Sequence, residues 1–587
     1  MDSEVSYGIL QTKDYINFHL AQSNGQLLQI PEGIKVLSGC LPGDEIKFDS
    51  ESKCYKVIHS ANHNKLIGIL ELTSKTRYGI TSRGYSKYLW RPMNPAYPPF
   101  IVGSSQKVLT KNMLCSINLK GSLWNPSLST FPEGEIVEYF GYLGNWEAER
   151  RALIEHWCPW RNSEKNVSEV NSVNNNNQNR YVIGNSDYEK MNTFHIDPPG
   201  CQDVDDILTI YYDNERNIVR CIITISDVAE YIKNQKSQIL ETAQNIGSTF
   251  YNENGGVLVS MLPKKLSDEY LSLHDNGRDK YGISLDIEIG CEVGEGSKIL
   301  KQSLYLSKIL KSVVKTYTYE TFLEDTQQNC RNYKIVYEIL EKTLGRCATK
   351  YNGKETGIDG IHAFVETTML YYNWYVGNFL ATTAVVENIP YRAQGALQSE
   401  RLKDWQERIP TFTFPESAQY VLGRDSKHST LGLKNYCHAS SPIRRFCDLW
   451  IQIQLHSILN IQSLGNIMKL PDEFVDSLVN KLNDRSKSQK KFSKQLGLIA
   501  MMEKGVRDFH GICLEWRECE NGLFWKGKFL VEEIGMVYTI RQLGDKKRTS
   551  VGSKVALKVG IHMTEAVWKR RFVFSLFDSS LNKDIHK

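Results

Sequence analysis

Residues 1–60 alternate apolar and polar positions in short β-like runs, broken by turns such as Pro42-Gly-Asp44, and residues 61–148 repeat the texture. That pattern predicts two small β-barrels. Residues 207–212 and 218–225 are β-rich apolar runs around Asp213-Asn-Glu-Arg-Asn217, which predicts a hairpin. Farther on the period lengthens. Ile361, Val365, Met369, Tyr372, Val376 and Leu380 form one helical stripe, with Glu366 and Asn373 two turns apart on a neighbouring face. Ile443, Phe446, Trp450 and Ile453 keep helical spacing behind Ser441 and Pro442, so a helix is expected to start with Ser441 as its N-cap. Residues 511–580 return to β-like runs, such as 523–531 and 554–559. The polar, low-complexity stretch 166–179, with Asn174-Asn-Asn-Asn177, cannot bury a core and is expected to be a disordered insertion.

Length sets the scale: 587 residues with 41% hydrophobic content imply three or four domains. Met1-Asp-Ser-Glu4 lacks the basic and apolar regions of a signal peptide, and no apolar run approaches the roughly 20 residues of a spanning helix. Thirteen cysteines without CxxC pairs are expected to be reduced thiols. The expectation is a protein of the cytoplasm or nucleus, neither secreted nor membrane-bound.

Candidate chemistry concentrates in two places. His195-Ile-Asp-Pro-Pro-Gly-Cys-Gln-Asp-Val-Asp-Asp206 packs Asp197, Asp203, Asp205 and Asp206 together just before the predicted hairpin, at what should be the edge of a sheet. Hard divalent ions take such oxygen ligands, and paired ions clamp the attacking and leaving oxygens of a phosphoryl displacement. A solvated acidic turn is the alternative; an EF-hand loop lacks its glycine, counting from Asp203. Downstream, Arg444 and Arg445 fall in the first turn expected after Ser441, where a cation is disfavoured unless an anion is bound. Solvation, or pairing with carboxylates, is the other reading. The net charge of +4 decides little. Its distribution says more: Lys546, Lys547, Arg548, Lys554, Lys558, Lys569, Arg570 and Arg571 interleave with Tyr538, Trp568 and Phe572, as on a nucleic-acid-binding barrel or a solvated β surface.

The aspartate box, Tyr251 through Met261-Leu-Pro263 with Leu266-Ser267 and Leu271-Ser-Leu273, Val365-Glu366 with Met369 and Asn373, and Ser441-Pro-Ile-Arg-Arg445 occur in the order seen in the RNB exoribonucleases. The chain resembles that RNase II and RNase R superfamily. Trp90-Arg-Pro92, Ser116-Ile-Asn118, Trp124, Phe131-Pro-Glu-Gly134 and Phe140-Gly-Tyr-Leu-Gly144 resemble the second cold-shock barrel of its eukaryotic exosome-type members. The resemblance implies a multidomain α+β fold. Cold-shock/OB β-barrels are expected at 1–60 and 61–148, a mixed α/β RNB catalytic domain at 149–510, and a C-terminal OB-type barrel at 511–587. No N-terminal endonuclease domain is expected.

The implied activity is magnesium-dependent, processive 3′-to-5′ hydrolysis of single-stranded RNA to nucleoside 5′-monophosphates, with manganese as a substitute ion. Asp197, Asp203, Asp205 and Asp206 would hold the metal. Asp206, Arg444 and Arg445 would act on the scissile phosphate. Tyr251 would stack on terminal bases, while Tyr319 and Glu366 would sense the terminal ribose. A monomer is expected, and an exosome-like association stays open without support from the chain. A catalytically inactive RNA-binding scaffold or chaperone, and a DNA nuclease, are the competing classes. The chain departs from the family at Ala439, Ser440 and Phe446 around SPIRR, at Thr367, at Thr224-Ile-Ser-Asp227, and at Arg392-Ala-Gln394. All four aspartates and both arginines remain, which argues against a degenerate relative.

Overall fold

The structure is a computed structural model describing residues 5–577 apart from 23–25, 32–38, 62, 121–123, 125–129, 159–179, 233–236, 292–296, 327–330, 346–357, 384–387, 396–399, 411–416, 460–471, 520–522 and 544–548. The stretch 166–179, expected to be disordered, lies outside the described residues. The chain forms two compact units: residues 1–159 with 491–587, and residues 160–490.

Among the described residues the first unit holds three five-stranded sheets, one for each β-textured segment. The first runs in the order Leu27–Gln29, Phe18–Ala21, Val5–Thr12, Glu45–Asp49, Cys54–His59, and buries Leu10, Leu20, Ile46 and Phe48. The second closes into a barrel because Glu133–Tyr142 pairs with both Phe100–Gly103 and Met113–Leu119. Trp90, Phe100, Cys115 and Ile117 fill it. Gly68 is required there, since a Cβ would stand 2.2 Å from the Arg91 carbonyl oxygen. The third runs Met536–Leu543, Phe524–Val531, Asp508–Cys519, Lys554–Ile561, Phe572–Leu576. The multidomain α+β architecture expected from the sequence is present.

Part of the expected basic surface is not a surface. Arg571 is 1% exposed, and both of its terminal nitrogens donate to the buried Glu149 carboxylate, one at 2.7 Å. Glu149 belongs to the helix Trp146–Trp157, so the pair joins the chain's two distant segments within this unit. Trp568 and Phe572, also expected on a binding face, are buried against the Arg571 guanidinium. Lys546, Lys547 and Arg548 lie outside the described residues, and Arg570 is exposed. The described cysteines are free thiols, and no described helix is long and apolar enough to cross a membrane.

The second unit is built on a seven-stranded sheet in the order Tyr181–Ile183, Lys298–Ile309, Lys280–Gly290, Ile218–Ser226, Asp206–Asp213, Thr193–Ile196, Lys315–Tyr317. The predicted hairpin is its centre, with Leu208 opposite Ile223. Side chains alternate across it: Leu208 and Ile210 pack toward the helices Ile358–Thr382 and Arg331–Leu344, whereas Ile207 faces a second cluster with Val204, Ile222 and Leu273. Burial on both faces explains why this strand reads as an unbroken apolar run. The aspartates therefore do not lie on an edge strand. They sit at the ends of two interior strands, which is where a loop can be held from several sides.

Removing one member of the Glu149–Arg571 pair strands the other charge in the core. Arg571→Met should cost about 3–5 kcal/mol of stability, read as a lower urea midpoint. Glu149→Leu combined with Arg571→Met should recover most of it. Equal losses in the single and double variants would show that packing, and not the pair, carries the contact.

Candidate active site

The aspartate loop begins where Thr193–Ile196 ends and finishes where Asp206–Asp213 begins, two antiparallel neighbours. Pro198 and Gly200 make its turn: the Cys201 N–H donates to the Pro198 carbonyl at 3.2 Å, and Gly200 has φ +83°, a conformation that favours glycine. Val204, fully buried, pins the far side, with its N–H on Ser272 Oγ (3.1 Å) and its carbonyl accepting from Leu273 (2.9 Å).

Three of the four carboxylates have partners of their own. Asp197 Oδ2 lies 2.8 Å from His195 Nδ1, while His195 Nε2 meets Thr316 Oγ1 at 2.9 Å. Asp203 Oδ2 accepts from the Tyr251 hydroxyl at 2.9 Å. Asp205 is buried and engages both oxygens, Oδ1 with the Ile443 N–H (2.9 Å) and Oδ2 with Arg444 Nε (3.0 Å). Burial lifts the Asp205 carboxyl to about 7, against the opposing pull of Arg444 and the Ile443 N–H. Asp206 is lifted to about 8, by desolvation first and then by the charges of Asp197 and Asp205, with Arg444 only partly offsetting them. A site that disfavours its own ionisation in this way fits a divalent cation, which would reverse the balance.

The SPIRR segment differs from its expectation. Ser441 is not an N-cap; residues 442–444 form a turn, and the helix runs Phe446–Leu459. The N–H groups of Arg444 and Arg445 both donate back to the Ser441 carbonyl (3.3 and 3.0 Å), and the turn feeds the helix from there. The reason is Asp448, fully buried in the first helical turn, whose Oδ1 takes the Ser441 N–H (2.8 Å) and Arg445 Nη2 (2.7 Å). The two arginines are thus each paired with a carboxylate, Arg444 with Asp205 and Arg445 with Asp448, while their side chains stay 47% and 30% exposed. They can present charge to an anion without leaving their anchors.

Asn373, read as part of a polar helix face, is buried instead. Its Nδ2 donates to the Tyr436 hydroxyl (3.1 Å) and Ser440 Oγ (3.2 Å), and its Oδ1 accepts from the Ala439 N–H (2.8 Å). One turn on, a Cβ at Gly377 would lie 1.8 Å from the Asn435 carbonyl oxygen, so the helix and the segment leading to SPIRR press together there. Tyr319 opens the helix Tyr319–Thr326, and burial, then Asp197 and Asp206, raise its hydroxyl above the ordinary range. Its ring stacks on His362 at 3.7 Å. His362 was not singled out from the sequence, although it stands one turn before the half-buried Glu366 on the same helical face. Among the departures from the family, Gln394 ties residues 427–430 down, accepting the Thr430 N–H on Oε1 at 2.9 Å.

Among the described residues, the group with metal-like spacing lies outside the aspartate box. Ligand atoms of Asp227, Glu230 and His456 lie within 4.8 Å of one another, all buried. Arg180 already bridges the two carboxylates at 2.9 and 2.8 Å, and His456 Nε2 meets Asp227 at 2.7 Å. Burial alone would raise the Asp227 carboxyl, yet His456 and Arg180 hold it well below its ordinary value. The two carboxylates of this cluster are already paired by Arg180 and His456, and the cluster belongs to the core.

Residues 185–421 and 410–461 match the RNB domain family. Ribonuclease R of Chlamydia pneumoniae is 23% identical over 394 residues, 57% of each chain. The mouse (Mus musculus) protein named exosome complex exonuclease RRP44 is 24% identical over 557 residues, covering 81% of this chain and 54% of its own length. The chain thus spans about half the length of these curated relatives. Among solved structures, Mycoplasma genitalium RNase R in complex with ribose-methylated single-stranded RNA superposes with a TM-score of 0.68 at 15% identity, over 97% of this chain and 100% of that one. Yeast Ssd1, described as a pseudonuclease, superposes with a TM-score of 0.63 at 13% identity, over 94% and 81%. With the aspartate box and SPIRR brought together inside the matched region, residues 185–461 carry the RNB domain that RNase R also bears.

Proposed function

We propose that this chain is a 3′-to-5′ exoribonuclease that hydrolyses single-stranded RNA to nucleoside 5′-monophosphates with magnesium, or manganese in its place. The observation that carries the reading is Asp206, whose carboxyl stands among the charges of Asp197, Asp205 and Arg444 with no ion-pair partner of its own among the described residues. Asp197, Asp203 and Asp206 would hold the cation, with Asp205 joining them or serving chiefly as the anchor of the SPIRR turn. When bound, the cation supplies Lewis acidity at the scissile phosphate and a nucleophile at neutral pH. The protein's own groups do the rest. Arg444 and Arg445, fixed by Asp205 and Asp448, would oppose the charge that builds on the phosphate oxygens, a role in which preorganised cations lose little to reorganisation. Tyr251, tethered through its hydroxyl, would offer its ring to a base, and such stacking is worth about 1–3 kcal/mol per base. Tyr319 and Glu366 would meet the terminal ribose, where a 2′-OH separates RNA from DNA.

The likeness to Ssd1 gives the competing reading of an RNA-binding scaffold a specific footing, because the shared fold alone does not carry activity. Asp206→Asn decides between them when binding and turnover of one labelled strand are measured side by side. Turnover should fall about a hundredfold or more while affinity for RNA holds. In the same assay a single 2′-deoxy residue at the 3′ end should slow the unsubstituted protein. Unchanged turnover in the variant would remove Asp206 from the chemistry, and equal rates on both strands would take Tyr319 and Glu366 out of sugar recognition.

The raised Asp205 and Asp206 carboxyls also predict how the ion couples to pH. Their folded values, about 7 and about 8, lie above the 3.8 of a free aspartate, so the metal-free fold keeps protons that the unfolded chain releases. Stability without the ion should therefore fall as pH rises from the free value through the folded values. The cation binds the ionised form, so the rise in melting temperature on adding magnesium should be larger at about pH 8.5 than at roughly pH 6, and largely absent in Asp206→Asn. A magnesium effect independent of pH would place the ion elsewhere.

A further inference from the structure

One buried cation has no role in the site as described. Arg392 lies in the strand Pro390–Ala393, its N–H donating to the Tyr436 carbonyl at 2.7 Å, and it is 7% exposed. Its guanidinium packs 4.7 Å over the Tyr420 ring. Among the described residues that guanidinium makes no hydrogen bond or ion pair, and Nη1 is buried without a partner. Arg180 and Arg571, as deeply buried, each meet a carboxylate. A guanidinium out of water and unpaired is costly, and a ring face returns only a small part of that cost.

Its neighbours deepen the imbalance. Tyr420 also lies close to Arg445, and its hydroxyl is 2.8 Å from His438 Nδ1. His438 is kept uncharged by burial and then by the positive charges of Arg445 and Arg392. Arg445 Nε, like Arg392 Nη1, is buried with no partner. The carboxylate at hand, Asp448, uses Oδ1 for Arg445 and the Ser441 N–H and leaves Oδ2 unfilled without reaching Arg392. Two guanidinium groups with unfilled donors, and more positive than negative charge, describe a place for an anion.

We propose that Arg392 and Arg445 together form a phosphate site that takes one internucleotide phosphate of the bound strand, holding it in register beside the aspartate box. The proposal rests on the RNA reading above. Guanidinium forks match phosphate oxygens in two-point contacts, and Arg445 would link this site to Arg444 next to it in the chain. Arg392 is then a binding residue.

The test is equilibrium binding of a single-stranded RNA to the full chain in EDTA, where no metal-dependent hydrolysis occurs, across a salt series. Arg392→Met should weaken binding and flatten the plot of log K against log salt by about 0.7, the share of one phosphate contact on a single strand. Arg392→Lys should keep most of the slope, and the melting temperature of the free Arg392→Met protein should hold or rise. Unchanged slope and affinity in Arg392→Met, with RNA still bound by the unsubstituted chain, would overturn the phosphate site and leave the nuclease reading standing. A lower melting temperature in both variants, with affinity unaltered, would make Arg392 structural. Inorganic phosphate that raises the melting temperature of the unsubstituted protein only, while RNA affinity ignores Arg392, would assign the site to a free ion and overturn the RNA assignment. Failure of the unsubstituted chain to bind RNA would remove the nuclease reading and this site with it.

Discussion

Asp205 is the point through which two distant stretches of chain become one site. Its carbonyl takes the Ser226 N–H at 2.8 Å, fixing it to the neighbouring central strand, while its carboxylate takes the Ile443 N–H and Arg444 Nε. Without that carboxylate the SPIRR turn would keep Asp448 and the Asn373 clamp on one side and lose its tie to the aspartate box on the other. The pair is expensive to bury, as the raised Asp205 carboxyl shows, and the arrangement survives because backbone and side-chain donors meet both oxygens. A carboxylate committed in this way sets the distance between the acidic and basic halves of the site, a task that free charges in solvent could not perform.

The same logic runs outward from it. Asp448 holds Arg445, Asn373 holds residues 436–440, and the close approach at Gly377 holds the long helix against that segment. Tyr251 and His195 fix the orientation of Asp203 and Asp197. Few of these contacts are within the local reach of a helix or strand pattern. Those of Asn373 and Tyr251 are long-range polar pairs, and because an unfilled buried donor or acceptor is costly, each partner restricts the next.

That is also why the sequence was legible in some places and silent in others. The hairpin at residues 206–226 and the helix Ile358–Thr382 announce themselves through periodicity, since burial of one face or both leaves a repeat in the apolar positions. The aspartate box stood out through its density of like charge. The start of the SPIRR helix did not: Ser441 and Pro442 look like a cap and a first turn, but Asp448 reaches back and captures the Ser441 N–H, so the helix begins at Phe446. Arg571 looked like a surface cation among others because nothing local distinguishes it, and its partner Glu149 is 422 residues away. Asn373 carried a helical polar signature that fits a channel wall and a buried clamp equally well. Only the fold supplies the segment that it holds.

Fold likeness extends both to an RNA-bound RNase R and to a pseudonuclease, so the account stands on the charges around Asp206 and not on architecture. The most direct measurement is a time course with a 5′-end-labelled single-stranded RNA, with and without magnesium, resolved by length. Successive loss of nucleotides from the 3′ end is expected, dependent on the ion and releasing nucleoside 5′-monophosphates. A strand that is bound yet stays intact with magnesium present, or that is cut internally, would contradict it.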